Sequence, residues 1–334
     1  ILAIFIIILL TYINTKGLKN GKILQDLFTT SKILALLGII IFGFILVKNS
    51  QWSGNMSFNW NAFQDFGQEV GNDLVPTGWK SIGGITLLGG IAAAMVGSVF
   101  SSVAWENVTF VSGEIENPKK NVVKSMVLGT IVVMVLYMLV NFVYLHALDR
   151  NGIAFADKNR PAVAASEVIF GSIGTIIMAV LVMVSTFGCI NGLVLAGARV
   201  FQTMAKDGLF FKSAIENNQN NVPGKSLWMQ GIWASVLALS GQYGDLLDMI
   251  SFVIVLFYMI TVFGVIYLRI KKPNLERPYK TWLYPVTPIL YLIIGTAFCA
   301  LLIFFKPQYT WPGFILILLG LPVYLFINRK NKIE

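Results

Sequence analysis

Residues 100–121 read FSSVAWENVTFVSGEIENPKKN. They set Trp105, Glu106 and Asn107 side by side in a stretch otherwise apolar enough to cross a bilayer. A carboxylate at mid-span costs several kcal/mol unless it is paired, hydrated or protonated, which makes Glu106 a functional candidate by default. The residues before it, Gly97, Ser98, Ser101, Ser102 and Ala104, are small and let another helix or a ligand come close to the backbone. Two readings fit this spacing. One is a broken helix whose freed N–H and C=O groups meet the carboxylate and ammonium of a zwitterion. The other is an unbroken packing helix in which Glu106 hydrogen-bonds to a neighbour. Farther on, GEIENPKKN ends the helix at Pro118 and leaves Lys119 and Lys120 to snorkel at a membrane face.

Working outward, the whole chain has the same character. Of its 334 residues 56% are hydrophobic and 12% charged, an apolar share above that of soluble domains. Several apolar runs reach the roughly 20 residues that span the hydrocarbon core, and none alternates with the period of a barrel strand. The expectation is an all-α, polytopic membrane protein, a single domain over 1–334 with about nine transmembrane segments. These segments are 1–14, 24–47, 83–112, 122–147, 163–205, 226–241, 247–269, 282–305 and 310–328.

Nineteen of the 25 Lys and Arg residues fall on one side of these spans. Lys32, with Lys16, Lys19 and Lys22, is counted there, and so is the C-terminal cluster Arg329, Lys330 and Lys332. The positive-inside rule makes that side cytoplasmic, the C-terminus included. An odd number of spans then puts Ile1 outside, and a chain that opens mid-helix points to a missing upstream part. The +9 net charge lies in short clusters between spans, so it reads as topology and not as a nucleic-acid patch. The aromatic and Asn-rich connection 48–81 reads as a loop along the membrane interface. Its Asn55 sequon matters only in a eukaryotic secretory pathway.

Enzyme chemistry finds no support. His146 is the only histidine and lies near the outer end of its segment, Cys189 and Cys299 sit in apolar runs, and GGITLLGG lacks the lysine of a phosphate loop. No cofactor or metal is implied. In segment five Ser185, Thr186 and Asn191 are ion-ligand candidates, but without a carboxylate helix packing is the better reading. Phe252, Phe257 and Tyr258 of segment seven read as packing residues.

The opening stretch resembles the sixth helix of permeases of the amino acid, polyamine and organocation superfamily, in which a Trp precedes E-x-x-NP-x-[KR]-N. QDLFTTSKILAL (residues 25–36) resembles the fifth helix and TFGCINGLVLAGARVFQTMAKDGLF (186–210) the eighth. LRIKKPNLERPYKTWLYPVTP (268–288) resembles the loop between helices ten and eleven, and GLPVYLF (320–326) the twelfth helix of the L-type branch. The resemblance implies an inverted-repeat transporter fold of the LeuT type. On that mapping the chain runs from the end of helix four to helix twelve, lacks the first three helices, and is either a piece of a longer permease or a truncated product.

By the same resemblance, Phe100 matches the aromatic that closes over substrate, and Ser101, Ser102, Val103 and Ala104 match the unwound stretch. Trp105 matches the tryptophan of L-type members. Those members usually carry two glycines where this chain has Val103 and Ala104, which leaves less room and disfavours large aromatic substrates. Glu106 takes a position occupied by Glu in bacterial antiporters of the family and often by Asn in animal members. The resemblance implies a secondary amino-acid transporter in a bacterial inner membrane, proton-coupled or exchanging, for small neutral or cationic amino acids. The alternative is a receptor or membrane-assembly subunit that keeps the scaffold without transport. Substrate and bilayer are the implied partners. Animal members pair with a heavy chain through a region outside this sequence, so no accessory subunit is assigned.

Overall fold

The computed structural model describes residues 2–56, 63–70, 73–110, 112–239, 243–277 and 279–331. Every predicted segment is helical: α1 (Leu2–Thr15), α2 (Leu18–Leu46), α4 (Gly84–Ser101), α6 (Pro118–Ala147), α9 (Gly174–Lys206), α10 (Gly224–Leu237), α11 (Tyr243–Lys271), α12 (Val286–Phe305) and α13 (Pro307–Asn331). Short helices α3 (Trp52–Met56), α5 (Asn107–Phe110), α7 (Arg150–Ala154) and α8 (Pro161–Phe170) fall between or within them. Among the described residues, six helical stretches are long and apolar enough to cross a bilayer: Gln25–Leu46, Gly84–Ser101, Pro118–Ala147, Pro161–Lys206, Met249–Lys271 and Val286–Phe305. Leu2–Thr15 and Thr310–Pro322 are apolar but shorter. At 1.5 Å per residue the 14 residues of α10 reach only about 21 Å.

Two features depart from the hydropathy reading. The connection 48–81 contains an antiparallel hairpin, β1 (Phe63–Val70) and β2 (Asp73–Ser81), with Phe63 opposite Ser81 and an irregularity between Phe66 and Gly67. A hairpin satisfies backbone groups that an extended loop would leave to solvent. The Gly71-Asn72 pair between the strands is a hairpin signal that hydropathy does not register. Segment five is two helices separated by the 3-10 turn Gly171–Ile173. The turn follows from Gly171 at φ 68° and from Gly174, whose α-carbon faces the Ser166 backbone so closely that no side chain fits.

The chain divides into two compact units. The first comprises Ile1–Gly83, Leu128–Gly197 and Asn218–Val222. Its apolar core joins Ile39 and Ile40 of α2 to Leu136, Val140 and Val143 of α6, Ala165 and Ile169 of α8, and Met178 of α9. Asparagines tie its helix ends. Asn55 Nδ2 donates to Leu145 O (2.7 Å) and Leu148 O (2.8 Å) at the end of α6, and Asn218 and Asn220 donate to Thr15 O at the end of α1. These side chains satisfy the last carbonyls of a helix, which have no intrahelical partner. Asn55 is thereby buried and committed, so its sequon is not presented for glycosylation in this conformation.

The second unit comprises Gly84–Val127, Ala198–Asn217 and Pro223–Glu334. Its core sets Ala92 and Val96 of α4 against Phe252 and Val255 of α11 and Phe298, Cys299 and Leu302 of α12. Phe252 is 2% exposed and meets Phe314 edge-on, as a packing residue should, whereas Phe257 is 50% exposed.

Close helix approach is enforced by glycine at Gly43 of α2, where a side-chain carbon would overlap Val143 of α6. Because Val143 is fully buried and β-branched, it has little freedom to yield. Gly43→Ala is expected to destabilise the fold by about 1–3 kcal/mol, read as a lower melting temperature in detergent. Gly43→Ala combined with Val143→Ala is expected to recover part of that loss.

Candidate functional site

The helix containing the opening stretch is broken. α4 ends at Ser101, residues 102–106 are non-helical, and α5 resumes at Asn107. At the break Ser101 Oγ and Ser102 Oγ both donate to Ser98 O, at 3.0 and 2.7 Å, a back-bond that Ser31 and Ser251 also make within unbroken helices. The last turn tightens, with Ser102 N–H donating to Val99 O and Val103 N–H to Phe100 O. Ala104 then takes φ 71°, a left-handed conformation that costs a non-glycine residue about 1–2 kcal/mol. Asn107 N–H closes back on Ala104 O at 3.2 Å, and Thr109 N–H bonds Glu106 O at 2.8 Å.

This geometry sets the side chains of the break. Glu106, half-buried, accepts a 2.7 Å hydrogen bond at Oε2 from the hydroxyl of Tyr258 on α11. The Trp105 ring lies beside Tyr258, 5.5 Å between centroids at 51°. Phe100, Val103 and Ala104 are half-buried, while Ser101, Ser102 and Trp105 are exposed. A phenol donor from another helix thus partners the Glu106 carboxylate, and Tyr258 does more than pack. Its hydroxyl, which must find a partner at membrane depth, was the available sequence signal.

The α9 candidates sit in the first unit. Asn191 is fully buried: its Oδ1 accepts from Asn14 Nδ2 on α1 at 2.9 Å, and its Nδ2 donates to Gln25 Oε1 on α2 at 3.3 Å. It therefore links three helices. Thr186 is exposed, and Ser185 lines a cavity of about 650 Å³ between α2, α6 and α9. Lys32 lines the same cavity and donates to Cys189 Sγ at 3.0 Å. The topology count put Lys32 with the cytoplasmic-side cations, yet it lies within the predicted segment 24–47 and, in the structure, inside the span Gln25–Leu46. The nearby glycine of α9 makes this approach possible, since a Cβ at Gly188 would come within 2.5 Å of Phe28 Cβ.

A helix interrupted around a carboxylate, in a polytopic apolar chain, is a feature of solute transporters. The family model for amino acid permeases matches residues 1–326. The chain belongs to that family. This permease is similar to the serine/threonine exchanger SteT of Bacillus subtilis, 29% identical over 99% of this chain and 70% of that protein. It is 28% identical to the human large neutral amino acids transporter small subunit 2, over 97% of this chain and 56% of the relative. With the b(0,+)-type amino acid transporter 1 of Rattus norvegicus it shares 25% identity, over 97% of this chain and 62% of the relative. The chain thus spans little more than half the length of several of the relatives it matches. The permease is an integral, multi-pass membrane protein, and its named relatives are transporters.

The strain at Ala104 is open to test. Ala104→Gly is expected to be tolerated, since glycine adopts this conformation freely. Ala104→Val is expected to lower the melting temperature of the detergent-purified permease, by the equivalent of about 1–2 kcal/mol, because a β-branched side chain is least compatible with positive φ. Equal melting temperatures for the two variants would show that residue 104 is not left-handed.

Proposed function

We propose that this permease carries amino acids across the membrane by alternating access, with the break between Ser101 and Asn107 as half of the substrate site. The observation that carries the reading is a chain interruption beside Glu106, whose carboxylate is anchored by Tyr258. Such a break offers backbone N–H and C=O groups to a zwitterion. Phe100 acts as the aromatic cover. Val103 and Ala104 narrow the site, which favours small neutral or cationic amino acids, in keeping with the serine/threonine exchanger among the relatives. Glu106 supplies the adjustable charge, favouring a cationic side chain or taking part in proton coupling. Ser185 and Thr186 are the remaining ion-ligand candidates. The membrane is a bacterial inner membrane, with the C-terminus in the cytoplasm as the distribution of Lys and Arg indicates. A subunit that keeps the scaffold without transporting is the competing reading.

Counterflow of a labelled amino-acid panel into liposomes separates the two, since a non-transporting subunit gives no accumulation. With transport present, Glu106→Gln is expected to flatten the pH dependence and weaken cationic substrates relative to neutral ones. An unchanged pH profile and substrate range in that variant would remove Glu106 from coupling. Tyr258→Phe deletes one hydrogen bond to a charged group, worth about 1.5–3 kcal/mol. It is therefore expected to reduce transport about tenfold or more while the fold, judged by melting temperature, is retained.

A further inference from the structure

Where α6 begins, the second unit holds a cavity of about 440 Å³ that adjoins the helix break through Thr109, whose N–H and hydroxyl both bond Glu106 O. One wall is the end of the broken segment and the first turn of α6, and the other is the chain just after α11. The hydroxyl-bearing residues Thr109, Ser112 and Tyr279 line it, together with the cations Lys119 and Arg277 and the carboxylate Glu276. Its apolar floor is Val122 and Val123, and one turn farther along α6 Val127 is 48% exposed.

The charges are not balanced. Arg277 spends its guanidinium on neutral carbonyls, donating to Leu268 O and Lys272 O through Nη2 and to Pro273 O and Leu275 O through Nη1. These four bonds cap the end of α11 and fix the cation in place without cancelling its charge. Glu276 bonds Lys119 Nζ at 2.7 Å, but both side chains are largely exposed, and such a pair is weak and readily exchanged. The two segments that meet here, 114–124 and 269–280, together carry eight Lys and Arg against three Glu. The N-terminal end of α6 adds the positive pole of its dipole.

We propose that this pocket binds the phosphodiester head group of an anionic phospholipid such as phosphatidylglycerol. Lys119 and the fixed Arg277 provide the charge, the Ser112 and Tyr279 hydroxyls provide donors to phosphate oxygens while that of Thr109 is committed to Glu106 O, and the Val122, Val123 and Val127 surface receives the first acyl carbons. That apolar floor runs into a membrane-spanning helix and selects a lipid over a soluble phosphate. Glu276 is the competing anion. The hydrogen bond and charge of Lys119 hold its carboxyl below the ordinary carboxylate range, so it stays ionised and occupies the lysine when no lipid is bound.

The opposite signs expected at Lys119 and Glu276 make the test. The full chain is reconstituted in phosphatidylcholine vesicles, and its association with spin-labelled phosphatidylglycerol is measured against spin-labelled phosphatidylcholine. Lys119→Gln is expected to lower the phosphatidylglycerol preference about fivefold, the usual effect of one juxtamembrane lysine. Glu276→Gln is expected to raise it severalfold, and Lys206→Gln, a charge-matched control at the end of α9, to leave it unchanged. Millimolar inorganic phosphate is expected to displace none of the lipid. The proposal is overturned if Lys119→Gln loses no more than Lys206→Gln, if Glu276→Gln fails to gain, or if inorganic phosphate displaces the lipid. Retained phosphatidylcholine association in each variant shows that a loss of preference is not a loss of fold.

Discussion

A backbone that crosses hydrocarbon has no water to bond, so every N–H and C=O freed from a helix must find a partner or line a polar space. The interruption between Ser101 and Asn107 is the point at which this permease meets that constraint. Two serine hydroxyls take the Ser98 carbonyl, the chain reverses through a left-handed alanine, and Glu106 is left facing a phenol. Without the left-handed residue at Ala104, Glu106 would follow a regular helix and face a different direction.

Elsewhere the same constraint is met with amides. Asn14, Asn191 and Gln25 form a hydrogen-bonded chain across three helices, while Asn55, Asn218 and Asn220 cap helix ends that loops would otherwise leave open. An amide carries both a donor and an acceptor without a charge, so it joins helices at membrane depth at less desolvation cost than an ion pair. Lys32 departs from this pattern, a basic residue within a span that donates to a cysteine sulfur. Lys32, Ser185 and Cys189 line one cavity, so the polar content of α9 is divided: Asn191 serves the packing of the helices, and Ser185 lines the cavity.

Much of this architecture was legible in the sequence. Apolar runs located all nine helical segments, of which six stretches among the described residues are long and apolar enough to span a bilayer, and the small residues before Glu106 marked where a helix could open. Hydropathy could not find the hairpin at 63–81, because pairing across a two-residue connection is a matter of turn chemistry. Nor could it separate α8 from α9, where the break depends on the close approach of Gly174 to the Ser166 backbone. At the site, residues 100–106 were named from the sequence as a contiguous run, whereas Tyr258 was assigned to packing although it supplies the hydrogen bond to Glu106.

The division follows from the range of the forces involved. Sequence alone determined the class of protein, the helices and the location of the polar cluster around Glu106, because hydrophobicity, small side chains and proline act within one turn or one span. Tertiary structure alone decided which groups those polar atoms meet: Tyr258 for Glu106, Gln25 and Asn14 for Asn191, Cys189 for Lys32, and the Leu268–Leu275 carbonyls for Arg277. In most of these the partner lies on a different helix, and the hydrogen bond is set by the crossing of two helices and by side-chain direction, neither of which is written in the local pattern of a single segment.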